Sequence, residues 1–132
     1  YSRAAESLEQ LSLDLQQSIT AHWSARLVDI AEKEVKRCAF EAAELSGMSF
    51  QQRAVNHFAR GLNGGGRREY AAGAENAEKA VTALTAAAQK AKAFGLPPDG
   101  WYMRNINGWL KGELERKAGQ MRELAVPDTS QA

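Results

Sequence analysis

Cysteine and long apolar runs are nearly missing from this chain of 132 residues. Cys38 is the only thiol, so no disulfide can form within the chain, which favours a reducing compartment. No stretch approaches the roughly 20 apolar residues that a membrane-spanning helix needs, and no signal-peptide pattern opens the sequence. We therefore expect a cytoplasmic protein without a membrane partner. Because the chain begins at Tyr1 instead of a methionine, we treat it as a segment of undetermined extent.

An excess of charge of one sign is also missing. The chain has 17 lysine and arginine residues against 16 aspartate and glutamate residues, for a net charge of +1. Such a balance creates no global field that would draw the whole molecule onto nucleic acid or an anionic membrane. Binding to a polyanion would therefore need a local basic patch.

Residues for catalysis or metal binding are scarce. His22 and His57 are the only histidines, and with a single cysteine they cannot build a structural zinc site. No serine or cysteine stands in a motif with a base and an orienting group, and Cys38 falls on the apolar side of the first helix, where it is expected to pack in the core. We interpret His57 as an exposed neighbour of Phe58. The sequence thus predicts a protein that is not an enzyme and has no metal, cofactor or small-molecule substrate.

Helix-forming residues dominate what is present, and one alanine-rich segment carries the clearest pattern. Its apolar residues recur at alternating spacings of four and three, which is the seam that one helix presents to another. Most of these positions carry only a methyl group, so a facing helix can approach closely. The seam residues are Tyr70, Ala74, Ala77, Val81, Leu84, Ala88 and Ala91. We predict an all-α fold, an antiparallel bundle of three or four helices.

The first segment, from about residue 2 to 46, contains neither glycine nor proline and predicts a long N-terminal helix. Unbroken, it would extend roughly 65 Å. We expect it to bend near Ser18–Ser24 or to overhang the bundle. Gly47 is expected to end it, and Ser49 to cap a second helix.

Glycine and proline mark the later boundaries. The run Asn63–Gly66 removes helix propensity and predicts a connector, whereas Gly95 and the prolines after it predict the end of the third helix. Asn107 and Gly108 are expected to interrupt the fourth helix. We predict one domain over residues 1–126, with helices at about 2–46, 50–62, 67–94 and 99–124, and a disordered tail at 127–132.

One aromatic and basic segment is the best candidate for a binding surface. On an α-helix, Trp101, Asn105 and Trp109 line up at intervals of four, while Ile106 and Leu110 point elsewhere. Aromatic rings beside arginine and asparagine are good contact anchors. The alternative is that one tryptophan closes the bundle end and the other covers the core. The candidate partner-binding residues are Trp101, Tyr102, Arg104, Asn105, Trp109 and Lys111.

A second candidate surface lies around the glycine run, where arginines cluster. The candidate anion or nucleic-acid contacts are Arg53, Arg60, Arg67 and Arg68. The run itself follows a helix and lacks the Gly-Lys-Ser/Thr ending of a phosphate-binding loop, so it is expected to be a plain linker.

These observations favour a non-enzymatic helical module that binds a partner protein or itself, as an adaptor, inhibitor or assembly subunit. The alternative is an accessory protein that binds nucleic acid through its local arginine and lysine patch, which would include Arg104 and Lys111.

Overall fold

The computed structural model describes residues 1–18 and 25–126. It is 93% helical and has no strand among these residues, which confirms the predicted all-α bundle. In chain order, the helices are α1 (Ser2–Ser18), α2 (Ala25–Arg60), α3 (Gly66–Phe94) and α4 (Lys111–Ala125), with wider π-helical segments at Gly61–Gly65 and Met103–Leu110. The predicted tail at 127–132 lies outside the described residues.

The first helix folds back on the second. The Ser12 hydroxyl donates a hydrogen bond to the Val35 carbonyl at 3.1 Å, which joins residues 23 positions apart. α1 and α2 are therefore antiparallel, and α1 packs chiefly on α2. The chain direction reverses between Ser18 and Ala25, so the predicted N-terminal helix is not one straight rod. The predicted site of the bend falls largely outside the described residues, as do His22 and Trp23.

The predicted helix end at Gly47 is wrong, because α2 continues through Gly47 and Ser49 to Arg60. Gly47 is buried against α3, and a Cβ atom there would lie 2.8 Å from Cδ2 of Leu84. The glycine thus permits close packing of α2 on α3 instead of capping a helix. The segment predicted as a separate second helix is the C-terminal part of α2.

The glycine run forms the predicted boundary between helices. Asn63 leaves helical geometry at φ −92° and ψ 23°, and Gly64 (φ 102°) and Gly66 (φ 70°) adopt positive φ. Side chains rarely tolerate these values, so glycine is needed at both positions. The reversal makes α2 and α3 an antiparallel hairpin.

α3 is the central helix, and its methyl-lined seam is confirmed. Ala74, Ala77, Leu84 and Ala91 have no or almost no exposed surface, and Ala88 is also buried. At its end, Gly95 (φ 115°) donates its N–H to the carbonyls of Ala91 and Lys92, as expected of a helix cap. Gly73, Ala80 and Ala87 are buried as well, because both α2 and α4 pack on α3.

The last helix packs its inward side chains in three clusters along the bundle. Tyr102 and Met103 contact Phe40, Ala87 and Ala91 at one end. Ile106, Leu110 and Leu114 contact Leu84 in the middle, and Met121 contacts Ala54, Ala74 and Ala77 at the other end. The interruption predicted at Asn107 and Gly108 is realised as the π-helical segment Met103–Leu110, which widens the helix without breaking it.

Candidate partner-binding surface

Both tryptophans of the candidate segment lie in solvent. Trp101 is 68% exposed and Trp109 is 66% exposed, so neither ring closes the core. Single exposed apolar residues are normal on protein surfaces, but two indoles within nine residues are a concentrated apolar surface. The alternative in which one ring covers the core is not what the structure shows.

The polar candidates take different places around these rings. The Asn105 amide donates to the Trp101 carbonyl at 2.8 Å, Arg104 is exposed and Lys111 is half-buried. Tyr102 points inward, with its ring 5.0 Å from that of Phe40 in an edge-to-face arrangement. The structure therefore keeps five of the six predicted residues near the surface and assigns Tyr102 mainly to the core.

A groove of about 180 Å³ opens beside Trp109, between α2 and α4. Its apolar lining comes from Val55, Phe58, Leu110, Leu114 and Met121, with Trp109 at the mouth. Val55 is itself 47% exposed, so the apolar surface continues from the groove onto α2. The groove has the size and lining to accept one apolar side chain. Sequence periodicity did not indicate it, since it forms between helices that are distant in sequence.

Charged groups on α4 border the groove. Glu113 accepts a hydrogen bond from Arg116 at 2.7 Å, and this guanidinium holds the pKa of the Glu113 carboxyl below its usual range. Lys117 also lines the groove, and no ion pair to it is seen among residues 1–18 and 25–126. The border thus offers a free cation beside a paired carboxylate.

Three of the four candidate anion contacts come together at the α2–α3 turn. Arg60, Arg67 and Arg68 are exposed there. Glu69, the nearby acid in sequence, is instead bonded to Nδ1 of His57 at 2.6 Å. His57 is half-buried, so its interpretation as an exposed neighbour of Phe58 is wrong; the pair spans the turn, which local sequence could not reveal. Within the described part of the chain, no carboxylate pairs with the three arginines.

The other basic candidates lie apart from the turn. The Arg53 guanidinium sits 5.4 Å from the Phe50 ring centroid, two helical turns before Arg60. Arg104 follows Tyr102, which packs on Phe40, and Phe40 is about 30 Å along α2 from Arg60. A single patch that joins Arg104 and Lys111 to the turn arginines is therefore contradicted.

Cys38 is fully buried, as expected for a core residue. Burial raises the pKa of its thiol, and the nearby Glu34 carboxylate raises it further. A thiol that stays protonated is a poor nucleophile and a poor metal ligand. No cluster of three metal-ligating side chains occurs among the residues the structure describes.

A partly buried acid lies next to Tyr102. Burial raises the pKa of Glu44, the Tyr102 hydroxyl opposes this shift, and Glu41 adds to it. The Tyr102 hydroxyl is itself buried, and burial together with Glu44 raises its pKa. The native state therefore favours the neutral carboxyl of Glu44.

Glu44→Gln is expected to raise the thermal unfolding midpoint at neutral pH. Because the native-state pKa is raised, the stabilising contribution of Glu44 is complete below the ordinary glutamate pKa and is lost as the pH rises through the native-state value. Glutamine mimics the neutral form at every pH. The difference between variant and wild type should thus vanish at about pH 4. Calorimetric melts across this range, with the exposed Glu115→Gln as control, check it; a Glu44→Gln advantage that grows towards acid pH would be the wrong sign.

Comparison with known proteins leaves these surfaces to be interpreted from their own chemistry. No family model, curated protein or solved structure matches the chain. None of the described helices is both long and apolar enough to cross a membrane.

Proposed function

We propose that this chain is a non-enzymatic helical module of the cytoplasm that binds a partner protein, or a second copy of itself, through the surface around Trp101 and Trp109. The observation that carries the proposal is the exposure of both indoles beside an apolar groove. Tryptophan, tyrosine and arginine are the residues most enriched where binding energy concentrates. An adaptor, an inhibitor and an assembly subunit would all use such a surface.

The groove suggests how a partner engages. An apolar side chain of the partner would enter between Val55 and Phe58 on one side and Leu110 and Leu114 on the other, and the Trp109 ring would cover it. Arg104 and Lys111 would then contribute to a polar rim that excludes water from the contact. The backbone around the groove is helical, so little ordering entropy would oppose binding.

Trp101→Ala and Trp109→Ala are expected to abolish partner capture or self-association while the helical circular dichroism is retained, because both rings are exposed in the free protein. Affinity capture with quantitative mass spectrometry measures the first and light scattering the second. Tyr1→Ala removes an aromatic ring that is 65% exposed elsewhere and serves as the matched control. Undiminished association by both tryptophan variants would overturn the proposal.

A second candidate function, nucleic-acid binding, is favoured by one observation. Arg60, Arg67 and Arg68 surround the turn, and Glu69 is engaged by His57 instead of neutralising them. Phosphate contacts release counterions, so such binding must weaken steeply as salt rises.

The electrophoretic shift of single- and double-stranded probes tests this candidate at low salt. We expect a shift at micromolar protein that the triple variant Arg60→Gln, Arg67→Gln and Arg68→Gln loses and that Arg104→Gln retains. A wild-type protein that shifts neither probe removes this function and leaves the tryptophan surface as the sole proposal.

A further inference from the structure

A second groove, of about 460 Å³, runs along α2 on the side opposite to its contact with α4. α2 forms its floor, α1 one wall and α3 the other. The floor includes Ala39, Ala43 and Ser46, and each remains partly exposed although it lies between three helices. No residue of this groove lines the one beside Trp109.

The two walls of this groove carry opposite charge. Glu6 and Glu9 line the α1 wall, whereas Lys90 lines the α3 wall and Arg53 stands at the end of the floor. Glu6, Glu9 and Lys90 are exposed, and none has an ion pair among the described residues. Charges that face one groove without partners can attract a complementary partner at little desolvation cost.

The floor and walls together fit one helix of a partner protein. Alanine and serine present no tall side chains, so a helix with small residues on its buried face could approach α2 closely, as α3 does on the other side. From Ala39 to Arg53 the floor extends about 20 Å, which matches roughly four helical turns. The groove is open along its length, whereas sites for small molecules enclose most of the ligand surface.

We propose that this groove binds a partner helix that has small residues on its buried face, basic side chains along one flank and acidic side chains along the other. The basic flank lies against Glu6 and Glu9, and the acidic flank lies against Lys90. Turning such a helix end for end would exchange its flanks, so the charges also select the direction in which it binds. With the tryptophan surface, the module would then have two separate binding faces.

Three synthetic peptides of about 18 residues test the proposal, each held helical by a side-chain staple because isolated helices of this length are marginal. All carry alanine and serine on one face. One has lysine on one flank and glutamate on the other, the second has lysine on both flanks, and the third has glutamate on both. Fluorescence anisotropy should show the mixed peptide binding wild type at least about tenfold more tightly than either of the others.

Variants of the protein sharpen this test. Glu6→Lys with Glu9→Lys makes both walls basic and should shift the preference to the glutamate peptide. Ala43→Leu should fill the floor and weaken the mixed peptide about tenfold or more, whereas Ala93→Leu, at an exposed alanine of α3 outside the groove, should not. Trp109→Ala should leave peptide binding unchanged, which separates this proposal from the proposed function.

Four results would overturn the inference. They are no binding of the mixed peptide at about millimolar concentration, equal binding of all three peptides, binding that ignores Ala43→Leu, and a wild-type dimer whose dissociation by Ala43→Leu would assign the groove to a second copy of this chain.

Discussion

Leu84→Ala is expected to lower the free energy of unfolding by about 2–5 kcal/mol, towards the upper end of that range. Leu84 has no exposed surface and packs with Ala80 and Leu114 at the middle of the bundle. Its neighbour on α2 is Gly47, and a glycine has no side chain with which to refill a cavity. The lost contacts would therefore stay lost. Chemical denaturation followed by circular dichroism measures the change.

Leu124→Ala is the matched control for this prediction. Leu124 lies near the end of α4 and is 43% exposed, so the same truncation should cost less than about 1 kcal/mol. Equal costs at the two leucines would mean that the α2–α3 contact is not the centre of the core.

Gly47→Ala is expected to destabilise the protein by about 1–3 kcal/mol, although alanine is the better helix former by about 1 kcal/mol. The added Cβ would lie 2.8 Å from both Cγ and Cδ2 of Leu84, closer than carbon atoms can approach. Leu84 is fully enclosed and cannot move aside without disturbing α3. The packing cost should therefore exceed the gain in propensity, as the denaturant midpoint would report.

Gly112→Ala should have the opposite sign. Gly112 also lies inside a helix, α4, but a Cβ there would meet no atom within 4 Å, so only the helix propensity changes. The double variant Gly47→Ala, Leu84→Ala should be more stable than the sum of the single effects predicts, since alanine at 84 makes room for the added methyl group. Stabilisation by Gly47→Ala, or strict additivity with Leu84→Ala, would contradict the close packing.

Local sequence predicted the fold where one physical cause decides the structure. The spacing of four and three from Tyr70 to Ala91 identified the buried side of α3, and the glycines at 64, 66 and 95 mark real reversals or caps with positive φ. Gly47 misled because glycine both ends helices and permits close helix contacts. Only Leu84, 37 residues later, decides between these roles.

The candidate surfaces were predictable to a smaller extent. The four-residue spacing separated the exposed Trp101 and Trp109 from the inward Ile106, although the π-helical form of this segment depends on hydrogen bonds that sequence periodicity does not encode. The bond from His57 to Glu69 joins residues on opposite sides of a turn. Both grooves also form between separate helices, so their existence depends on tertiary packing.

The affinity of Trp109→Ala for a purified partner tests the central claim most directly. Isothermal titration of the captured protein, or of the chain itself if it self-associates, compares this variant with wild type and Tyr1→Ala. The account predicts that Trp109→Ala binds about 30-fold more weakly, equivalent to about 2 kcal/mol, while Tyr1→Ala binds as wild type does. An affinity of Trp109→Ala within about twofold of wild type would show that the tryptophan surface does not bind the partner.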